Sequence, residues 1–525
     1  MRRQHLLLAS LGLMTLWRLA LLPTLGLSPE EAFTAMRTGQ PLAADFTLQG
    51  PLLAWLSRLS MLIGGHGEFG LRLFAPLLAL ATSLMAWHLA ARHYDRTIAG
   101  WTVVVLNLLP GFNLAAVSWT PAIVVLTGLT ALPLLLPRAI AFGPEVSKAW
   151  TAAGLCVAAL LLTSPGLAPV LALSAFLLYR PSRHSALWRG RGFWLFLSLS
   201  ILPLILWVRW QSLHHWPFWD HSLWMPDLRI IPSWFRAVVF ASPLLFVVIL
   251  WAVRGLWLRP TASATHSLIL AYALPLALAD FFWRSQTPWP DTGWPAWLVF
   301  ASMLAGHQFV VSPLLQTEDR ISWRTITLVL AALQSVFLVN TDFVRAAGLP
   351  WSFESRLDRS DSPFLHLFTR DPSGTQRGWT QTGRLVSDVL IDTQLKSPQE
   401  GRYFVIASDW RLAAALNQSL PSDAPCLWPT PTHPRVHPIQ NPSDWTHPFA
   451  HLPRYDARQP DGSSHFAQKD ALYVTDDTQR GSPPPAIRAA FTRTELLTTA
   501  HVVHAGQPVR QIKIFACYGY QPPQL

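Results

Sequence analysis

Charged side chains are scarce in this sequence, with 29 acidic and 40 basic residues among 525, or 13 %. Average soluble domains carry roughly a quarter. The shortage is uneven. Residues 1–345 form a series of apolar stretches of about 16–24 residues, each long enough to cross a hydrocarbon core of ~30 Å, whereas residues 346–525 have the composition of ordinary soluble sequence. That pattern excludes a soluble enzyme. Cysteine is nearly absent, at three residues. Cys156 falls in an apolar stretch and reads as a packing residue. Cys426 and Cys517 fall in the soluble region, where either a disulfide or two free thiols is compatible with the sequence.

Other absences narrow the function. There is no glycine-rich phosphate loop, no Gly-x-Ser-x-Gly elbow and no His-Glu-x-x-His, so a nucleotide-sugar enzyme of the Rossmann type is unsupported. No basic stripe runs along an expected helix despite the net charge of +11, and nucleic acid is not an expected partner. No small-x-small cleavage site follows the apolar run Leu6 to Leu27, because Pro29-Glu30-Glu31 comes directly after it. That run is expected to remain as a first helix. Inverted repeats and intramembrane charge pairs, the marks of a transporter or flippase, are not seen.

What is present predicts an α-helical polytopic membrane protein with a C-terminal soluble α/β domain. Eleven spans are expected, near residues 5–27, 68–91, 97–116, 119–137, 149–163, 166–180, 192–210, 234–253, 265–283, 293–313 and 324–343. Arg2 and Arg3, Arg92 and Arg96, Arg138 and Lys148, Arg180 to Arg191, Arg254 and Arg259, and Arg320 and Arg324 mark alternate loops as cytoplasmic. The N-terminus is then cytoplasmic and residues 346–525 are periplasmic, on the outer side of a bacterial inner membrane. The first outer loop, residues 28–67, contains the amphipathic segment 51–63, expected to lie as a helix in the membrane interface. In the soluble domain Arg402 to Ala407, Ala471 to Thr475 and Gln511 to Phe515 read as strands, and Trp410 to Leu416 as a helix. A proline-rich loop spans residues 421–443.

Glu30 and Glu31 stand just outside the first span. Two solvated loop acids are the plain reading; a general base with a neighbouring carboxylate is the functional one. Leu27-Ser28-Pro29-Glu30-Glu31-Ala32-Phe33, then Gly50-Pro51-Leu52-Leu53-Ala54-Trp55-Leu56, then Glu68-Phe69-Gly70-Leu71-Arg72-Leu73 resembles the first outer loop of the polyprenyl-phosphate-sugar glycosyltransferases. That group includes the protein O-mannosyltransferases and the lipid A aminoarabinose transferase, family 39-type enzymes of GT-C fold. Trp210-Gln211-Ser212-Leu213-His214-His215-Trp216, Gly293-Trp294-Pro295-Ala296, Gly378-Trp379 and Lys469 to Asp477 are similar to its later motifs and occur in its order.

The resemblance implies inverting transfer from a polyprenyl-phosphate sugar, the lipid-linked donor, to an envelope acceptor, which could be lipid, glycan or protein. By the same resemblance Glu30 takes the general-base role with Glu31 beside it. Gln49, Arg72, His214 and Arg284 would bind donor phosphate or sugar, and Trp55, Trp216 and Trp294 would offer stacking surfaces. For Arg72 and the tryptophans, anchoring at the membrane surface is the alternative. His214-His215 is read as a hydrogen-bonding pair rather than a metal site, and a divalent metal is unsupported.

The sequence also departs from the family. Glu30 stands where the family has Asp, Leu48-Gln49 replace Asp-His, and Gly50 replaces Pro. Thr120-Pro121-Ala122-Ile123 lacks the family's acid, and Ser164-Pro165-Gly166 lacks its lysine. Two other readings therefore stay open: a catalytically degenerate relative that binds lipid-linked sugar or serves as a partner subunit, and an assembly protein whose soluble domain docks others.

Overall fold

The computed structural model of the chain describes residues 2–38, 46, 50–141, 147–164, 171, 190–214, 216, 238–239, 241–258, 297–312, 322–340, 342, 376–396, 403–427, 433–439, 449, 452–457, 464–476, 482–504 and 506–522. The described helices are, in order, α1 (Arg2–Leu21), α2 (Pro29–Thr38), α3 (Pro51–Gly64), α4 (Glu68–Arg72), α5 (Phe74–His93), α6 (Arg96–Leu108), α7 (Pro110–Val117), α8 (Pro121–Ala141) and α9 (Lys148–Thr163). They continue with α10 (Arg191–Leu213), α11 (Pro243–Leu258), α12 (Leu298–Val311), α13 (Trp323–Val339) and α14 (Trp379–Lys396). Thereafter β1 (Phe404–Ala407), α15 (Trp410–Ser419), β2 (Val436–Pro438), β3 (Ala471–Thr475), α16 (Pro485–Ala490), β4 (Phe491–His504) and β5 (Gln507–Tyr520) follow. Two compact units result: Met1–Thr24 with Leu42–Asn340, and Leu25–Pro41 with Thr341–Leu525.

The first unit is helical. His5–Thr24, Glu68–His93, Pro121–Ile140 and Arg191–Leu213 are, among the described residues, long and apolar enough to cross a membrane. Shorter apolar helices at Lys148–Thr163, Pro243–Gly255, Leu298–Val311 and Trp323–Val339 fall on four more expected spans. The expected spans 166–180 (Leu171 apart) and 265–283 lie outside the described residues.

The expected span 97–116 is broken. Arg96–Leu108 and Pro110–Val117 meet at 67°. Pro110 has no N–H and forces the residue before it out of helical geometry, and Leu109 is extended at φ −64°, ψ 123°.

Polar and apolar faces are arranged for a hydrocarbon surround. Leu13 on α1, Leu62 on α3, Ile205 on α10 and Leu333 on α13 are all exposed, while Ser57, Ser60, Thr82, Ser83 and Thr102 are buried. Without water inside or lipid able to hydrogen-bond, each inner hydroxyl needs an internal partner. Ser57 takes a bond from the fully buried Trp119 indole at 2.5 Å, and Ser60 donates to the Gly70 carbonyl at 2.5 Å. The buried Arg18 guanidinium donates to Asn113 Oδ1 at 2.6 Å and lies over the Phe112 ring. Close helix approach uses small residues: a Cβ on Gly306 of α12 would sit 2.8 Å from the Thr102 nitrogen of α6.

The second unit contains a five-stranded mixed sheet of order β2-β1-β3-β5-β4. β1 pairs in parallel with β2 and β3, and β5 pairs antiparallel with β3 and β4. Every residue of β1 and β3 is buried, as expected of strands covered on both faces. Phe404, Phe466, Tyr473, Phe491, Phe515 and Tyr520 form its core with Ile406 and Ile487. Cys426 and Cys517 are free thiols, as is Cys156, and burial pushes the Cys517 thiol up to about 12.

Candidate active site

The two adjacent acids begin α2, within the second unit. Ser28-Pro29-Glu30-Glu31 is a capping box, Ser-x-x-Glu with Pro as the first helical residue. Ser28 Oγ accepts from the Glu31 N–H at 3.3 Å, and Glu31 Oε2 accepts from the Ser28 N–H at 2.9 Å. Glu31 is fully buried. Its carboxylate turns back on the helix start.

Glu30 points elsewhere. Successive residues on a helix are turned by about 100° and do not share a face. Glu30 Oε1 meets Arg411 Nε, in the first turn of α15, at 3.4 Å. The glutamate side chain is 22 % exposed and the arginine 59 %. An ion pair this open contributes about 0–1 kcal/mol. It orients the carboxylate more than it stabilises the fold.

Aromatic packing fixes the two helices against each other. Phe33 of α2 meets Trp410 edge-on at 6.1 Å and Phe449 at 5.5 Å. Asp409 caps α15, its Oδ1 accepting from the N–H groups of Arg411 at 2.7 Å and Leu412 at 3.0 Å. Acid, arginine and tryptophan are thus set on helix starts whose caps are encoded locally. The sequence carries no sign that residue 411 faces residue 30. The only local signal is Ser408-Asp409, a helix start.

The first unit holds the other described candidates. Arg72, at the end of α4, is fully buried, with Nη1 donating to the Leu22 carbonyl at 3.4 Å. Trp55 of α3 is half-buried, and its indole nitrogen is buried with no partner among the described residues. His214 ends α10, its Nδ1 donating to the Trp210 carbonyl at 2.7 Å and its ring stacked on Trp210 at 4.6 Å. Trp216 is exposed in the left-handed region at φ 56°. Phe46 of the first loop packs edge-on against Trp210 at 6.3 Å, so that loop meets the start of the Trp210–Trp216 motif. Gln49, Arg284, Trp294 and His215 lie outside the described residues.

Gly50, one of the departures, has a structural reason. Its N–H donates to the Thr163 carbonyl at 3.0 Å, and a Cβ there would stand 1.8 Å from the Leu162 oxygen. Proline could neither donate that bond nor fit. The end of α9, just before Ser164, is therefore packed directly on the first loop.

Among the described residues, no group of three His, Cys, Asp or Glu could hold a metal ion. His433, His437 and His465 are ring neighbours in the second unit, with His433 at 6.2 Å from His437 and 5.6 Å from His465. Burial, aided by His433, pulls the His437 imidazole down to about 3.

Residues 48–210 match the family model described as dolichyl-phosphate-mannose-protein mannosyltransferase. No protein of curated function matches the sequence. The fold is shared with ArnT from Cupriavidus metallidurans bound to undecaprenyl phosphate, at 15 % identity, 97 % of each chain and a TM-score of 0.55. The same protein in the apo state aligns at 14 % identity, 97 % of each chain and a TM-score of 0.53. The matched model, confined to residues 48–210, and the shared fold point the same way as the resemblance of the motifs.

Proposed function

We propose that the chain is an inverting glycosyltransferase that moves a sugar from a polyprenyl-phosphate donor to an envelope acceptor at the outer face of a bacterial inner membrane. The observation that carries the reading is Glu30: a part-exposed carboxylate, fixed on a capped helix start and held beside an arginine. The shared fold with a protein bound to undecaprenyl phosphate supports the donor class.

Glu30 takes the proton of the acceptor hydroxyl as that oxygen attacks the anomeric carbon. The bond from anomeric carbon to phosphate oxygen breaks on the opposite face, and its electron pair leaves with the lipid phosphate. Configuration inverts. A base placed within hydrogen-bond reach typically contributes about 10²–10⁴ in rate. Glu31 serves by holding the start of α2. Donor-binding roles are proposed for Gln49, Arg72, His214, Arg284, Trp55, Trp216 and Trp294. The domain division is residues 1–345, with eleven spans and an interfacial helix at 51–63, and residues 346–525 as the periplasmic domain. The N-terminus is cytoplasmic.

The purified protein in lipid, given a panel of polyprenyl-phosphate sugars and an envelope extract from a strain lacking it, should consume one donor and yield product of inverted anomeric configuration. Retained configuration would refute the single-displacement mechanism. Binding of donors with no consumption would establish the second reading, a non-catalytic binder, which the replaced family acids and lysine favour.

A further inference from the structure

We propose that Arg411 is a cation that binds the donor phosphate, and that its ion pair with Glu30 is the resting half of a handover between carboxylate and phosphate. The inference rests on the reading of Glu30 as base.

Arg411 Nε and Glu30 Oε1 stand 3.4 Å apart. A guanidinium carries five N–H donors in a planar fork suited to either a carboxylate or a phosphate. Most of the Arg411 side chain is exposed, so an anion can reach it without unpacking the unit. Its root is fixed. The backbone N–H is bonded to Asp409, and the guanidinium carbon lies 5.4 Å from the Trp410 ring, which itself packs on Phe33, three residues beyond Glu30. The tip of the side chain can swing while its base keeps one place relative to the carboxylate.

The chemistry gives the swing a direction. A polyprenyl-phosphate sugar is a phosphodiester with one negative charge, and the departing polyprenyl phosphate is a monoester that gains more as the bond to the anomeric carbon breaks. Attraction to Arg411 therefore rises toward the transition state, where it accelerates the reaction. As the guanidinium turns to the phosphate, Glu30 Oε1 gives up this ion pair and takes the acceptor's proton. That proton stays on Glu30 and the electron pair leaves with the phosphate. One arginine thus both senses the donor and releases the base.

The full-length protein in lipid nanodiscs, titrated with undecaprenyl phosphate, tests the handover through Arg411→Ala, Arg411→Lys, Glu30→Gln and the double variant Arg411→Ala/Glu30→Gln. Arg411→Ala should weaken binding about tenfold or more, with Arg411→Lys between it and the wild type. Glu30→Gln should tighten binding about threefold, because the competing carboxylate is gone, and this gain should vanish in the double variant. Equal binding by Arg411→Ala and the wild type would overturn the handover, as would a Glu30→Gln gain that persists without Arg411. If the wild type still turns over donor in that case, the transferase reading stands and the handover alone fails. If the wild type neither binds nor consumes any donor, both fall.

Discussion

At the scale of single residues, two adjacent glutamates do different work. Glu31 closes a capping box and Glu30 faces an arginine, a division that follows from helix geometry. Glu31→Gln keeps an oxygen that can accept from the Ser28 N–H, so it should retain turnover within about threefold, whereas Glu31→Ala should loosen α2 by about 0.5–2 kcal/mol, the usual effect of losing a cap. Turnover with one donor, read beside thermal unfolding of both variants, checks this. A large loss in Glu31→Gln with unchanged stability would make Glu31 a participant in proton transfer instead. Ser-x-x-Glu is legible in the sequence because a cap is local. Arg411 is not, since its partner stands 381 positions away. Gly50→Ala belongs at this scale too. The 1.8 Å clash with Leu162 should cost about 1–3 kcal/mol of stability, and an unchanged melting temperature would contradict the packing described for the first loop.

At the scale of elements, the strands at Phe404–Ala407 and Ala471–Thr475 and the helix at Trp410–Ser419 overlap the expected 402–407, 471–475 and 410–416, whereas β5 (Gln507–Tyr520) runs past the expected 511–515 at both ends. β2 was hidden. It is three residues ending in Pro438 at the sheet edge, inside a stretch whose prolines read as loop. β4 was missed because an edge strand with one largely exposed face lacks a long apolar run. The break at Leu109-Pro110 was legible in principle, but the apolar run on both sides of it masked the proline.

His437 sits in β2 with His433, Tyr455 and Phe466 around it. Its folded value of about 3 lies below the ordinary 6.5. Below pH 6.5 the unfolded chain takes up a proton that the folded chain refuses, so stability falls as the pH drops toward 3. The slope is about 1.4 kcal/mol per pH unit for one such group. Melting of the full chain should therefore decline from pH 6.5 to 4.5, and His437→Leu should flatten that decline by about one proton. An equal slope in the variant would contradict a neutral buried His437.

At the scale of the whole molecule, composition separates an apolar stretch, residues 1–345, from one of ordinary soluble composition, residues 346–525. On α3, the segment expected as an amphipathic helix, Leu59, Leu62 and Ile63 are exposed while Ser57 and Ser60 are buried. The grouping of Leu25–Pro41 with Thr341–Leu525 left no trace in composition. Long-range packing of Phe33 on Trp410 creates it, and such contacts leave no periodic signature.

The most direct test of the account is single-turnover release of polyprenyl phosphate from the donor by the wild type and by Glu30→Gln, with donor affinity measured on the same preparations. The account predicts that Glu30→Gln binds donor at least as tightly as the wild type and releases polyprenyl phosphate about 10²–10⁴-fold more slowly. Release at the wild-type rate by a folded, donor-bound Glu30→Gln variant would contradict it, because the proton would then have gone to another group.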